Sequence, residues 1–264
     1  MKPGLTAKSA IDRFFPDFWC NPADVLLRAS EVVIWSRQKL EAPILDIGCG
    51  DGSTGARLFA GRKIDMGIDL VGSDIPLAQA CGVYKKAIQA DATHMPFKNA
   101  SFATVTCNST IEHIEKDIKA ISEFSRVLKP NGRLLITTTS TRLLETLKQL
   151  LTPDEVEKLN NRLAHFHYRS KDEWRKILRK HGLTMVEHHY YLPPEKIAAW
   201  LKIFKISTAR IYHRELWSYL RDSPYGKLAP KNLITRFLKF YLPKHIATDF
   251  SENGTWQYII ARKS

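Results

Sequence analysis

Nowhere in this 264-residue chain do about 18 apolar residues run together, so no segment of the sequence reads as a membrane-spanning helix. The first ten residues, Met1 to Ala10, lack the apolar core of a secretory signal. Cysteine is scarce. Its four copies, at 20, 49, 81 and 107, include no C-x-x-C pair, which argues against a disulfide framework or a cysteine zinc site and fits a reducing compartment. No metal site is expected. A cytoplasmic protein is expected, with peripheral contact at the inner face of a membrane as its one elaboration.

The N-terminal half has no excess of either charge. Residues 1–140 hold 17 Lys and Arg against 15 Asp and Glu, whereas residues 141–264 hold 23 against 12, so +11 of the net +13 lies in the second half. Such asymmetry suits an anionic partner, or a solvated basic face that serves only solubility. The length fits one elaborated domain with a substantial core.

What is present is a glycine loop. Ile44-Leu45-Asp46-Ile47 is an apolar run suited to a buried parallel strand, and Gly48-Cys49-Gly50-Asp51-Gly52 follows it with three glycines in five positions. Gly50 to Gly55 spells G-x-G-x-x-G, a dinucleotide fingerprint that is weak by itself. No Lys or Arg lies within the loop, and Asp46 and Asp51 flank it. Two carboxylates would repel a pyrophosphate and suit a ligand bearing an ammonium or a sulfonium. A second short strand, Ile64 to Leu70, ends at Asp69, which lies 21 residues after Gly48. That spacing puts a carboxylate within reach of a ribose diol. It serves NAD and S-adenosylmethionine equally.

Leu45-Asp46-Ile47-Gly48-Cys49-Gly50-Asp51-Gly52 resembles motif I of class I S-adenosylmethionine-dependent methyltransferases. Ala90-Asp91-Ala92, Met95-Pro96-Phe97 and Cys107-Asn108-Ser109-Thr110-Ile111-Glu112-His113-Ile114 are similar to motifs III and IV of the ubiquinone/menaquinone-type branch, also called methyltransferase type 11. The turn Leu128-Lys129-Pro130-Asn131-Gly132-Arg133 matches as well, so the resemblance runs through residues 44–139. It implies an α/β fold: a Rossmann-like, seven-stranded, mostly parallel sheet with helices on both faces. It implies S-adenosyl-L-methionine as cofactor, with Asp91 on the adenine amino group. The cofactor set is then Asp46, Gly48, Cys49, Gly50, Asp51, Gly52, Asp69, Leu70, Asp91, Ala92 and Asn108. One departure is Thr139-Ser140-Thr141, where many relatives have proline.

The chain divides on pattern into an N-terminal helical segment (1–43), a core (44–191 and 255–264) and a basic helical insertion (192–254). Strands six (183–191) and seven (from 256) are usually joined by a short turn, yet about sixty residues separate them here. Within residues 192–250 stand 11 Lys and Arg and 4 Asp and Glu. Ile197, Trp200, Leu201 and Phe204 form one helical stripe, and Ile234, Phe237, Leu238, Tyr241 and Leu242 another. The readings are a lid, contact with an anionic membrane, or plain packing.

Transfer from a sulfonium depends chiefly on alignment, and a hydroxyl acceptor gains from a general base. His113 is the expected base, with His165 and His167 as alternatives. The chain lacks the Asn/Asp-Pro-Pro-Tyr/Phe segment of amino-directed nucleic-acid enzymes of this fold, so nucleic acid is not the expected partner. The expected acceptor is a small molecule, or a lipid- or glycan-linked group, methylated by direct in-line transfer. The competing readings are an NAD(P)-dependent oxidoreductase and a non-catalytic nucleoside-binding protein recruited to anionic membrane or RNA.

Overall fold

A computed structural model describes residues 5–15, 17–211, 213–222, 224 and 228–264. The chain divides into two compact units: residues 1–38 with 192–250, and residues 39–191 with 251–264.

The first unit opens with α1 (Ala7–Asp12) and α2 (Pro22–Ser36). Pro22 takes the first helical position of α2, where its missing N–H costs nothing. Val25, Leu26, Ala29, Val32, Val33, Ile34 and Trp35 are all buried, so the helix is apolar nearly all round and not a single stripe.

The second unit is built on a sheet. Strands β1 (Ile44–Ile47), β2 (Met66–Asp69), β3 (Ala87–Gln89), β4 (Phe102–Asn108), β5 (Leu128–Thr139), β6 (Leu183–Tyr191) and β7 (Trp256–Lys263) lie in the order β3-β2-β1-β4-β5-β7-β6. All neighbours are parallel except β7, which is antiparallel to both β5 and β6. The chain runs from β1 outward to β3, then returns to β4 beside β1. That reversal opens a crevice at the carboxyl ends of β1 and β4, where ligands bind in such sheets.

Helices α3 (Ser53–Leu58), α4 (Ile75–Ala80), α5 (Asp117–Val127), α6 (Thr141–Leu150), α7 (Pro153–Leu163) and α8 (Lys171–Lys180) surround the sheet. Phe124 of α5 and Trp174 and Leu178 of α8 are buried in the cluster that includes Val105, Leu134, Ile136 and Ile259. Each such side chain contributes about 1.5–3 kcal/mol by leaving water. Ser170 with Glu173 forms a capping box at the start of α8, and Thr152 with Glu155 forms a second one at α7.

Three boundaries differ from those the sequence suggests. β3 is three residues long, because Tyr84 makes only an isolated bridge with Ile64 and turns its side chain into the core. β5 starts six residues before Leu134, since Leu128 pairs with Phe102 ahead of an irregularity in the ladder. Glu112-His113 opens no α-helix, and residues Ile111–His113 form a single 3-10 turn.

β6 and β7 pair from Leu183↔Lys263 to Tyr191↔Trp256, so they are a hairpin whose connection has grown into part of the other unit. That connection holds α9 (Pro194–Ser207), a two-residue ladder at 210–215, α10 (Leu216–Asp222) and α11 (Lys231–Tyr241). The insertion and the N-terminal segment, separate by pattern, are thus one unit. Lys239 pairs with Asp12, Arg37 with Asp249, and Ser30 Oγ accepts the Ala247 N–H. In α9, Ile197, Trp200 and Leu201 are buried, as a packing stripe requires. In α11 the stripe splits: Leu238 and Leu242 just after the helix are buried, but Phe237 is 60% exposed. Among the described residues no helix is long and apolar enough to cross a membrane.

Candidate active site

The glycine loop leaves β1 with Gly48, Gly50 and Gly52 all at positive φ (+75°, +52° and +80°), the region that disfavours side chains. Gly48 and Cys49 donate their N–H groups to the Ile68 carbonyl, which ties the loop to β2. Asp69, at the end of β2, accepts from the Gly50 N–H at 2.8 Å and the Val71 N–H at 2.9 Å. Its carboxylate therefore already belongs to the loop. The Ala90 N–H reaches the Asp69 carbonyl, so the segment leading to Asp91 lies beside it. From the other side Thr110 packs against Gly48, leaving no room for a Cβ there. Four separate motifs, at 48–52, 69–70, 90–92 and 108–113, thus meet at one end of the sheet.

Individual residues behave differently. Asp46 is only 4% exposed, and its two oxygens accept hydrogen bonds from Tyr84 Oη at 2.6 Å and Thr106 Oγ1 at 2.7 Å. Burial raises its pKa to about 6 despite these bonds. It braces the strand under the loop, and Tyr84 and Thr106 are partners that motif spacing does not reveal. Asp51 is exposed and accepts from the Ser53 N–H, so it fastens the start of α3. Cys49 is buried, which pushes its thiol pKa up and keeps it protonated. Asp91 is exposed, accepts from the Thr93 N–H, and is held below the usual carboxylate range chiefly by that bond. Ala92 beside it is half-buried. Asn108 accepts a 2.6 Å hydrogen bond from Thr137 Oγ1. Leu70 is 67% exposed directly after Asp69, an apolar surface of the kind an adenine ring covers.

Beyond Asn108 the 3-10 turn carries Glu112 and His113. The chain after α7 lies against it: the Phe166 N–H donates to the Glu112 carbonyl, and His113 Nδ1 is 3.2 Å from the Ala164 carbonyl. This places the His113 and His165 rings 5.0 Å apart. Burial, then the neighbouring His113, lowers the His165 pKa to about 4. His165 Nδ1 lies 3.0 Å from Tyr168 Oη, which in turn donates to Asn160 Oδ1 at 2.6 Å. His167 is held differently, with Nε2 at 2.9 Å from the Glu115 carbonyl, beside the ion pair of Arg169 with the buried Asp117. Of the three histidines singled out by sequence, two form a cluster and the third braces the backbone. Between α6 and α7 lies a cavity of about 510 Å³ whose walls include Leu144, Leu151, Val156 and Asn160. Asn160 is common to the cavity and the histidine cluster.

A strand order of 3-2-1-4-5-7-6, with a glycine loop and the acids Asp69 and Asp91 gathered at its crevice, defines a class I methyltransferase fold. The methyltransferase-domain family matches residues 13–188, two thirds of the chain, and this chain belongs to that family. The demethylmenaquinone methyltransferase of Beutenbergia cavernae is 28% identical over 41% of this chain and 48% of its own length. An uncharacterised methyltransferase of Bacillus subtilis is 31% identical over 59% of this chain and 65% of its own length. The chloroplastic tocopherol O-methyltransferase of Arabidopsis thaliana is 29% identical over 61% of this chain and 49% of its own length. These matches span less than two thirds of the relatives. A SAM-dependent methyltransferase of Thermotoga maritima shares the fold, with a TM-score of 0.58 and 18% identity over 98% of this chain and 100% of that one. The geranyl diphosphate methyltransferase structure determined with SAM has a TM-score of 0.55 and 14% identity over 91% and 89% of the two chains.

Proposed function

We propose that this methyltransferase acts on a hydroxyl group of a small, partly apolar acceptor, free or lipid-linked, by direct in-line transfer. The observation that carries the reading is the pairing of the Glu112–His113–His165 cluster with the cavity next to it. The cluster supplies polar groups able to promote loss of a hydroxyl proton. The cavity, walled by Leu144, Leu151, Pro153 and Val156 with Lys148, Glu157, Asn160 and Asn161 among them, has the volume of a small-molecule site. The eleven cofactor positions read from sequence are proposed as the donor site, with Asp46 positioning the loop from beneath and Asp69 holding the ribose.

Transfer of radiolabelled methyl from SAM to three pools tests this: hydroxylated prenyl-aromatic compounds, oligosaccharides and RNA. Label is expected in the organic extract of the first pool. His113→Gln is expected to lower the rate by about 10²–10⁴-fold, the usual worth of promoting loss of the acceptor's proton, whichever member of the cluster acts on it directly. Label confined to oligosaccharide or RNA would overturn the proposed acceptor.

A second proposal is peripheral contact with anionic membrane through α11. Leu233, Phe237 and Phe240 share a helical face and are 66%, 60% and 86% exposed, with Lys231 and Arg236 also on the surface. The protein is expected to float with liposomes rich in anionic phospholipid at low salt. Phe237→Ser/Phe240→Ser should abolish flotation, and high salt should weaken it. Absence of the wild-type chain from the lipid fraction would discard the membrane contact.

A further inference from the structure

We infer that Glu112, His113 and His165 form a binding site for one divalent transition-metal ion beside the methyl-acceptor space. Each offers one ligand atom, and the three atoms lie within 4.8 Å of one another. Small side-chain rotations would bring them to the roughly 2.0–2.2 Å at which imidazole nitrogen and carboxylate oxygen hold zinc.

The surroundings of each ring add an independent observation. The Ala164 carbonyl can only accept, so His113 Nδ1, 3.2 Å away, carries the hydrogen, and the neutral ring has its lone pair on Nε2. Tyr168 Oη spends its proton on Asn160 Oδ1, so it accepts from His165 Nδ1. That ring too has its lone pair on Nε2. Thr138 Oγ1 donates to Glu112 Oε2 at 3.0 Å, which orients the carboxylate. Metal-binding histidines characteristically donate their second N–H to a fixed acceptor, and metal-binding carboxylates are hydrogen-bonded in turn. All three residues here have such partners. Glu112 is buried and His113 exposed, so the site has a dry floor and a solvent-side opening.

Two imidazoles and one carboxylate suit zinc, cobalt or manganese more than magnesium or calcium, which favour oxygen ligands. Three protein ligands also leave a coordination position open for a substrate atom. Thr110, two residues before Glu112, packs on Gly48 of the donor loop, so the cluster stands close in the chain to a contact of that loop. The functional role, unlike the binding itself, rests on the methyl-transfer reading. The acceptor oxygen binds the cation and its O–H proton passes to water. The oxygen lone pair forms the C–O bond while the C–S bond of the sulfonium breaks, its electrons returning to sulfur to leave S-adenosylhomocysteine. His113 is then a ligand and not itself the base.

Cobalt(II) absorption and zinc calorimetry on the intact chain without SAM test the site. One ion per chain is expected, with visible bands of four- or five-coordinate cobalt that zinc displaces. Glu112→Gln and His165→Gln should weaken binding by about two orders of magnitude, and Tyr168→Phe by roughly 10-fold. His189→Gln, on β6, should leave binding unchanged, and circular dichroism confirms folding of each variant. No 1:1 binding at about 50 μM cation, or equal binding by His165→Gln and Tyr168→Phe, overturns the site. Calorimetry with S-adenosylhomocysteine on the same samples separates the two readings. Nucleoside binding without cation binding defeats only the metal site, and cation binding without nucleoside binding defeats only the donor assignment.

Discussion

Asp69→Ala is expected to weaken S-adenosylhomocysteine binding by on the order of 100-fold. One carboxylate holds the Gly50 N–H and the Val71 N–H, and a ribose diol would bond to the same group. Hydrogen bonds to a charged group are worth about 1.5–3 kcal/mol each, so removal of the carboxylate loses both a ligand contact and the tether that shapes the loop. Asp69→Asn keeps an oxygen for Gly50 and should lose roughly 10-fold. Titration calorimetry reads both. An Asp69→Ala affinity within about threefold of wild type would remove Asp69 from the donor site.

Gly48→Ala should cost about 2–5 kcal/mol of folding stability. The φ of +75° contributes about 1–2 kcal/mol of strain for an L side chain, and collision of the new Cβ with the Thr110 side chain adds an overpacking term of about 1–3 kcal/mol. Gly61→Ala separates the two contributions, because Gly61 has a similar φ of +78° and nothing within 4 Å of its notional Cβ. It should show the strain alone. Gly48→Ala/Thr110→Ala should regain most of the steric part. Urea denaturation at unchanged m-value measures all three, and equal costs at Gly48 and Gly61 would mean that Thr110 does not press on the loop.

Much of the fold was legible because its signals are local. The apolar run at 44–47, the glycines after it, the breakers around residue 130 and the Ser170–Glu173 capping box each act within a few residues of chain. β6 was read with its observed boundaries of Leu183–Tyr191, since residues on both sides end the pattern abruptly. Tyr84 lies ahead of β3 and not in it. Its β-propensity is real, but its side chain is drawn into the core to bond Asp46. The same bond holds Asp46 against Tyr84 beneath the loop, a partnership that spacing alone does not report.

By itself the sequence determined the donor: a glycine loop without cationic side chains, an acid 21 residues after Gly48, and motifs III and IV in register behind it. These depend on backbone conformation and on short spacings, which one βα unit after another preserves. Tertiary structure alone decided the rest. His113 and His165 stand 52 residues apart, and only the packing of the post-α7 chain on the 3-10 turn brings their rings together over Glu112. The N-terminal helices and the insertion became one unit because apolar faces nearly two hundred residues apart bury each other, a choice that no local periodicity encodes.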